Sequence, residues 1–208
     1  MPTEPELPAN LVDWAIEPHR AVLLVHDMQH YFLQPFADGC EPRSALMRNV
    51  RRLREHCEQL DIPTIYTAQP GSMTREQRGL LLDFWGPGMS ARPEDRGIPS
   101  EIAPALGDPV LTKWRASAFH STNLLERMHY LERDQLLICG VYAHVGVLLT
   151  AADAFANNVQ AFVIADAVAD FTPEYHRMAM EYVATRCGRV VLTSQVATEL
   201  AAYETRVP

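Results

Sequence analysis

Two rhythms of apolar residues alternate along this chain. Continuous apolar runs at 21–27, 135–140 and 160–165 fit strands buried on both faces of a parallel sheet. Helical spacing lies between them. Leu46, Val50, Leu53, Cys57 and Leu60 mark one buried helix face after a cap at Ser44, and Leu124, Leu125, Met128 and Leu131 mark another within 122–132. The remaining pattern predicts strands at 63–69, 109–113 and 189–193. It also predicts helices at 74–83, 145–157 and 173–187, the last opened by Pro173. Residues 1–19 read as an irregular arm anchored by Leu11, Trp14 and Ile16. The whole predicts one α/β domain over 1–208, a doubly wound, Rossmann-like, mostly parallel six-stranded sheet with helices on both faces. No repeat or linker divides it. The irregular stretch 71–110 is long for a compact domain, and such loops usually serve as lids or binding segments.

Composition narrows the function classes. A formal net charge of −8 argues against a nucleic-acid surface, which needs a basic stripe. No apolar run reaches the roughly 20 residues of a membrane span. The acidic, Pro-rich start MPTEPELPAN is unlike a secretory leader. Cys40, Cys57, Cys139 and Cys187 form no C-x-x-C pair, and Cys57 and Cys139 sit in apolar patterns, which fits free thiols in a reduced cytoplasm. The eight His are scattered, so no metal site is expected, and no glycine fingerprint for a dinucleotide follows the first strand.

The chemistry concentrates where apolar strands end. AVLLVHDM runs into Asp27, LTKWR into Lys113, and LICGVYAHVGVLL leaves a strand for a small-residue helix near Gly146. Open parallel sheets bind ligands outside the carboxyl ends of their strands. Asp27, desolvated by Val25, Tyr31 and Phe32, is either a general acid or base or an Asp accepting backbone hydrogen bonds in a turn. Lys113 is either a ligand cation or the ion-pair partner of Asp27. Gly146 stands where a cysteine hydrolase of this architecture carries its nucleophile, so covalent catalysis from that helix is disfavoured. Period-2 alternation turns His26 away from Asp27 as a core histidine.

The runs VLLVHDMQHYF, YTAQPGSM, EQRGLLLDFWGPGM, LTKWRASAFH, QLLICGVYAHVGVL and ADAVADF resemble the isochorismatase family from about Leu7 to residue 198. Within it they are most similar to the phenazine-pathway branch. The resemblance implies hydrolysis of the enol-pyruvyl ether of 2-amino-2-deoxyisochorismate, without metal or other cofactor, with Asp27 protonating the vinyl carbon. Lys113 and Arg78 would take substrate carboxylates, Gln69 and Tyr142 would give hydrogen bonds, and Trp85 would wall the ring. Gly146 would keep the helix terminus open. A cis peptide before Tyr142, a homodimer and the absence of a C-terminal aryl carrier domain are also implied. His144 would face a partner subunit or the pocket rim. Isochorismate itself is the alternative substrate. A cysteine amidase is opposed by Gly146 and by Gln69-Pro70-Gly71 replacing an Asp-x-His. A non-catalytic module leaves Asp27, Lys113 and Gln69 without a reason.

Overall fold

The first apolar run forms β1 (Ala21–His26), buried along its whole length, in a computed structural model that describes residues 1–204. After α1 (His30–Leu33) and α2 (Arg43–Gln59) comes β2 (Thr64–Ala68). Three short helices, α3 (Arg75–Arg78), α4 (Leu81–Trp85) and α5 (Pro93–Arg96), punctuate the irregular stretch before β3 (Val110–Thr112). The second half alternates α6 (Leu124–Tyr130), β4 (Gln135–Val141), α7 (Leu148–Ala156), β5 (Gln160–Ala169), α8 (Pro173–Arg186), β6 (Gly188–Val191) and α9 (Thr193–Glu204).

All six strands pair parallel in the order β3-β2-β1-β4-β5-β6. That order reverses direction between β1 and β4, where a ligand crevice opens. Alternate residues feed two cores. Val22, Leu24, Leu136 and Ile138 pack in one with α6, α7 and α8; Leu23, Val25, Leu137 and Cys139 pack in the other with α2 and α9. The expected doubly wound sheet is therefore present. No helix among the described residues is long and apolar enough to cross a membrane.

Several local expectations change. Ser44 lies inside α2, whose N-cap is Pro42. The helix expected at 74–83 is split by Gly79, whose φ of +52° suits glycine. The helix expected from 145 is preceded by a wide π-type turn over Ala143–Val147, which often accompanies functional sites. Leu131 lies beyond α6 and is exposed. In the arm, Leu11 is exposed, whereas Ile16 is buried and Trp14 meets Phe162 edge-on at 6.2 Å. The buried Gln135 side chain ties the arm down by accepting from Glu17 N at 2.8 Å and donating to Ala15 O at 2.9 Å. Such bonds satisfy backbone groups the arm cannot pair in a sheet.

Candidate active site

The carboxyl ends of β1, β2, β3 and β4 surround a cavity of about 410 Å³. Asp27, Gln69, Arg78, Trp85, Lys113, Tyr142 and Gly146 all line it, so the fold brings together every expected site residue. Asp27 follows β1 directly at φ +50°, a left-handed conformation that Asp tolerates better than most residues. That turn aims its carboxylate across the sheet. Oδ1 accepts from the Thr67 hydroxyl at 2.6 Å, and Oδ2 accepts from Lys113 Nζ at 2.9 Å and Gln69 Nε2 at 3.3 Å. Asp27 and Lys113 are 3% and 1% exposed, so this ion pair is shielded from water.

Burial alone would raise the Asp27 pKa. The Lys113 charge, then His26, the Thr67 hydroxyl and the Lys113 hydrogen bond outweigh it and hold the carboxyl below its ordinary value. In the free protein Asp27 is an anion. Lys113 also donates to the carbonyls of Arg115 at 2.8 Å and Ala116 at 3.0 Å. Its three N–H donors are thus engaged within the protein. A substrate carboxylate would have to displace one of these partners, which counts against Lys113 as its main receiver.

Arg78 is better placed for that task. It is 6% exposed, and among the described residues it has no ion-pair partner. Nε donates to Gly86 O at 2.8 Å, Nη1 to Gln69 Oε1 at 3.4 Å and Nη2 to Trp85 O at 3.4 Å. Two of its five N–H donors remain for a carboxylate. Gln29 fixes the neighbouring turn, accepting from Gln69 N at 2.7 Å and donating to Gln69 O at 3.0 Å.

The opposite wall is aromatic. Trp85 stacks on Phe171 at 6.1 Å, and Phe171 lies 4.1 Å from Tyr142. Trp85 is partly exposed at the rim, as a ring-covering residue on a lid would be. The donor role expected of Tyr142 does not hold for its hydroxyl. That group donates its one proton to Phe32 O at 2.8 Å, so Tyr142 contributes ring surface. The Val141–Tyr142 peptide is cis. His144 is not part of the cavity lining; it bonds Asp170 at 2.8 Å and stacks on Tyr175 at 4.3 Å.

His26 is the buried, hydrogen-bonded core histidine that alternation predicts, with Nδ1 2.8 Å from Val141 O, but it also borders the cavity, to which the left-handed turn brings Asp27. Gly140, opposite in the register, could not carry a side chain, because a Cβ there would lie 2.1 Å from His26 O. At Gly146 a Cβ would lie 2.1 Å from His26 Cε1. The imidazole therefore fills the space that a side chain at 146 would need. Among the described residues lining the cavity there is no Ser, Thr or Cys. Thr67 also escaped sequence reading. Its signal was a hydroxyl inside an otherwise buried strand, paired in register with His26.

Residues 21–195 match the isochorismatase domain. The chain belongs to the isochorismatase family. It is 57% identical over 196 residues to "Phenazine biosynthesis protein PhzD1" of Pseudomonas aeruginosa, covering 94% of each chain. It is 52% identical to the "Isochorismatase" of Bacillus subtilis, spanning 96% of this chain and 64% of that one. Its fold is shared with a cysteine hydrolase from Pseudomonas syringae at a TM-score of 0.81 and 20% identity, covering 94% and 98% of the two chains. In this isochorismatase-family chain the four cysteines are free. Cys57, Cys139 and Cys187 are buried, and Cys40 is exposed. Burial pushes the Cys57 thiol up to about 12, far from the range of a reactive thiolate.

Proposed function

We propose that this isochorismatase-family hydrolase cleaves the enol-pyruvyl ether of 2-amino-2-deoxyisochorismate to pyruvate and trans-2,3-dihydro-3-hydroxyanthranilate. The observation that carries the reading is a cavity with one buried carboxyl, Asp27, and no side-chain nucleophile at Gly146. Vinyl ethers need acid, not a nucleophile. A proton moves from Asp27 to the terminal methylene, the resulting oxocarbenium ion takes up water, and the hemiketal releases the ring alcohol. The names of the phenazine-pathway relatives support the amino substrate, and the Bacillus subtilis relative supports isochorismate as the second.

Asp27 is anionic before substrate arrives, yet it must donate a proton. A dianionic substrate resolves this conflict, because its carboxylates bring negative charge to a shielded site and raise the Asp27 pKa. Arg78 receives one carboxylate, and Lys113 orients Asp27. Gln69 bridges the two, touching Asp27 Oδ2 and Arg78. Trp85, Phe171 and Tyr142 cover the ring and exclude water.

Pyruvate release from both substrates, compared by kcat/KM, tests the reading. The amino substrate is expected to lead; release from neither overturns the proposal. Alkylating the thiols should leave turnover intact, and its loss would favour a cysteine amidase. Arg78→Ala should raise KM about 10-fold to 100-fold, as expected for one charged hydrogen-bonding group, with a smaller change in kcat. An unchanged KM would remove Arg78 from substrate binding. We also place the protein in the cytoplasm as a homodimer. Its free thiols support the first assignment, and exposed Leu149, Phe155, Met178 and Tyr182 on α7 and α8 support the second.

A further inference from the structure

A carboxyl that hands its proton to carbon needs a defined place to carry it, and the donors around Asp27 leave one. A carboxylate offers four lone-pair sites, two on each oxygen. Lys113 Nζ at 2.9 Å and Gln69 Nε2 at 3.3 Å occupy both sites on Oδ2. The Thr67 hydroxyl takes one site on Oδ1 at 2.6 Å. An ammonium and an amide NH2 only donate, so neither can turn round to accept from a proton placed on Oδ2. The fourth site, the second lone pair of Oδ1, is where a proton enters without displacing a donor.

Thr67 holds that arrangement from an interior strand. It lies on β2, between β1 and β3, and is fully buried. Its oxygen accepts from Asp27 N at 3.1 Å while its hydrogen goes to Asp27 Oδ1. One hydroxyl thus grips the backbone and the carboxyl of the same residue, and it does so from a rigid element. The Asp27 N–H is shared with Thr67 O at 3.2 Å, so it keeps a backbone acceptor without the hydroxyl. What the hydroxyl alone supplies is the contact with Oδ1.

We infer that Thr67 is a positioning residue for the proton transfer, its hydroxyl confining the acidic proton to the open site of Oδ1 and stabilising the charge that the transfer leaves on that oxygen. This deepens the vinyl-ether reading above and rests on it. In the step itself the O–H bond at Oδ1 breaks and its electron pair stays on that oxygen. The vinyl π pair forms the new C–H bond, and the positive charge passes to the ether-bearing carbon as the oxocarbenium ion. A hydrogen bond to an ionised acceptor is stronger than one to a neutral acceptor. The Thr67 bond therefore tightens as the proton leaves, and a contact that tightens in the transition state raises kcat. The same bond makes Asp27 a stronger acid. Burial raises the Asp27 pKa, whereas Lys113, His26 and then the Thr67 hydroxyl lower it. The charged and titratable groups around this carboxyl are Lys113 after β3, His26 on β1 and Tyr142 after β4. Tyr31 on α1 and Arg78 on α3 line the same cavity. All five stay in place when residue 67 alone is changed.

The experiment is the pH dependence of kcat for pyruvate release from 2-amino-2-deoxyisochorismate by the parent protein, Thr67→Val and Thr67→Ser. Val keeps the branched shape and the backbone acceptor for Asp27 N–H but has no hydroxyl. Thr67→Val should lower kcat about tenfold or more on the low-pH plateau, with KM nearly unchanged. Its alkaline limb, where the acid loses its proton, should move to higher pH, because a donor that favoured the anion is gone. Thr67→Ser keeps the hydroxyl and should restore both the parent rate and the parent limb. If Thr67→Val does not fold, Thr67→Ala reads the same two quantities. A slow variant whose alkaline limb has not moved would assign Thr67 a purely structural role and overturn the inference. Parent-like turnover by Thr67→Val, or an equal loss in Thr67→Ser, would overturn it as well. A parent protein that releases no pyruvate, or whose kcat shows no alkaline limb, would instead overturn the underlying reading, whatever the variants do.

Discussion

Asp27→Asn is expected to bind the dianionic substrate with little change and to lose kcat by about 10³-fold or more. A positioned general acid contributes roughly 10² to 10⁴ in rate, so this loss corresponds to about 4 kcal/mol of transition-state stabilisation. Asn is the informative replacement. It fills the same volume and tolerates the left-handed φ of +50° at this position. Its amide oxygen can keep the bond from Lys113, and its NH2 can donate to the Thr67 hydroxyl oxygen where Oδ1 accepted from it. The change therefore removes the transferable proton and leaves most of the site standing. Substrate affinity from single-turnover titration and kcat from pyruvate release separate the two effects. A variant that retains more than a tenth of the parent kcat would show that the proton comes from elsewhere.

Lys113→Met is expected to destabilise the fold by about 3–5 kcal/mol at neutral pH, because it strands a buried carboxylate. The pH dependence carries a sign that can be checked. In the parent, the Asp27 pKa is held below its ordinary value, so this group contributes stability above the unfolded-state pKa. That contribution is lost as pH falls through the folded-state value. In Lys113→Met, burial acts without its main opponent and the Asp27 pKa rises. The variant's penalty should then be largest near pH 7 and shrink as Asp27 becomes protonated under mild acid. Urea unfolding at a series of pH values measures this. The double variant Asp27→Asn/Lys113→Met should be more stable than Lys113→Met alone at pH 7, as a shared interaction requires. Equal stability of the two at that pH would mean the pair is not coupled.

The sheet was legible because its central strands are apolar on both faces, which leaves little choice of fold class. Asp27, Lys113 and Gln69 were legible as the polar residues on which apolar strands end. What failed was everything set by a single backbone angle. Alternation made His26 a buried core residue, which holds, but it cannot register the left-handed residue immediately after the strand that brings Asp27 to the same cavity. Likewise, Tyr142 could be placed at a strand end, yet the destination of its hydroxyl, Phe32 O, depends on a loop whose path no periodicity encodes. α9 was missed because its mixed Ala, Thr and Gln sequence carries a weak apolar stripe, although Val196 and Leu200 bury fully against the sheet. Gly146 was read as an open helix terminus. Its deeper reason, the imidazole beneath it, appears only once β1 and β4 are laid side by side.

On the proposed mechanism, Asp27 gains a proton when the dianion binds. The direct measurement is proton uptake in weakly buffered solution near pH 7, on binding the saturated lactyl-ether analogue, which has no double bond to protonate. The parent protein should take up about one proton per site, and Asp27→Asn should take up none. Binding without proton uptake, or equal uptake by both proteins, would contradict a reaction driven by acid from this carboxyl.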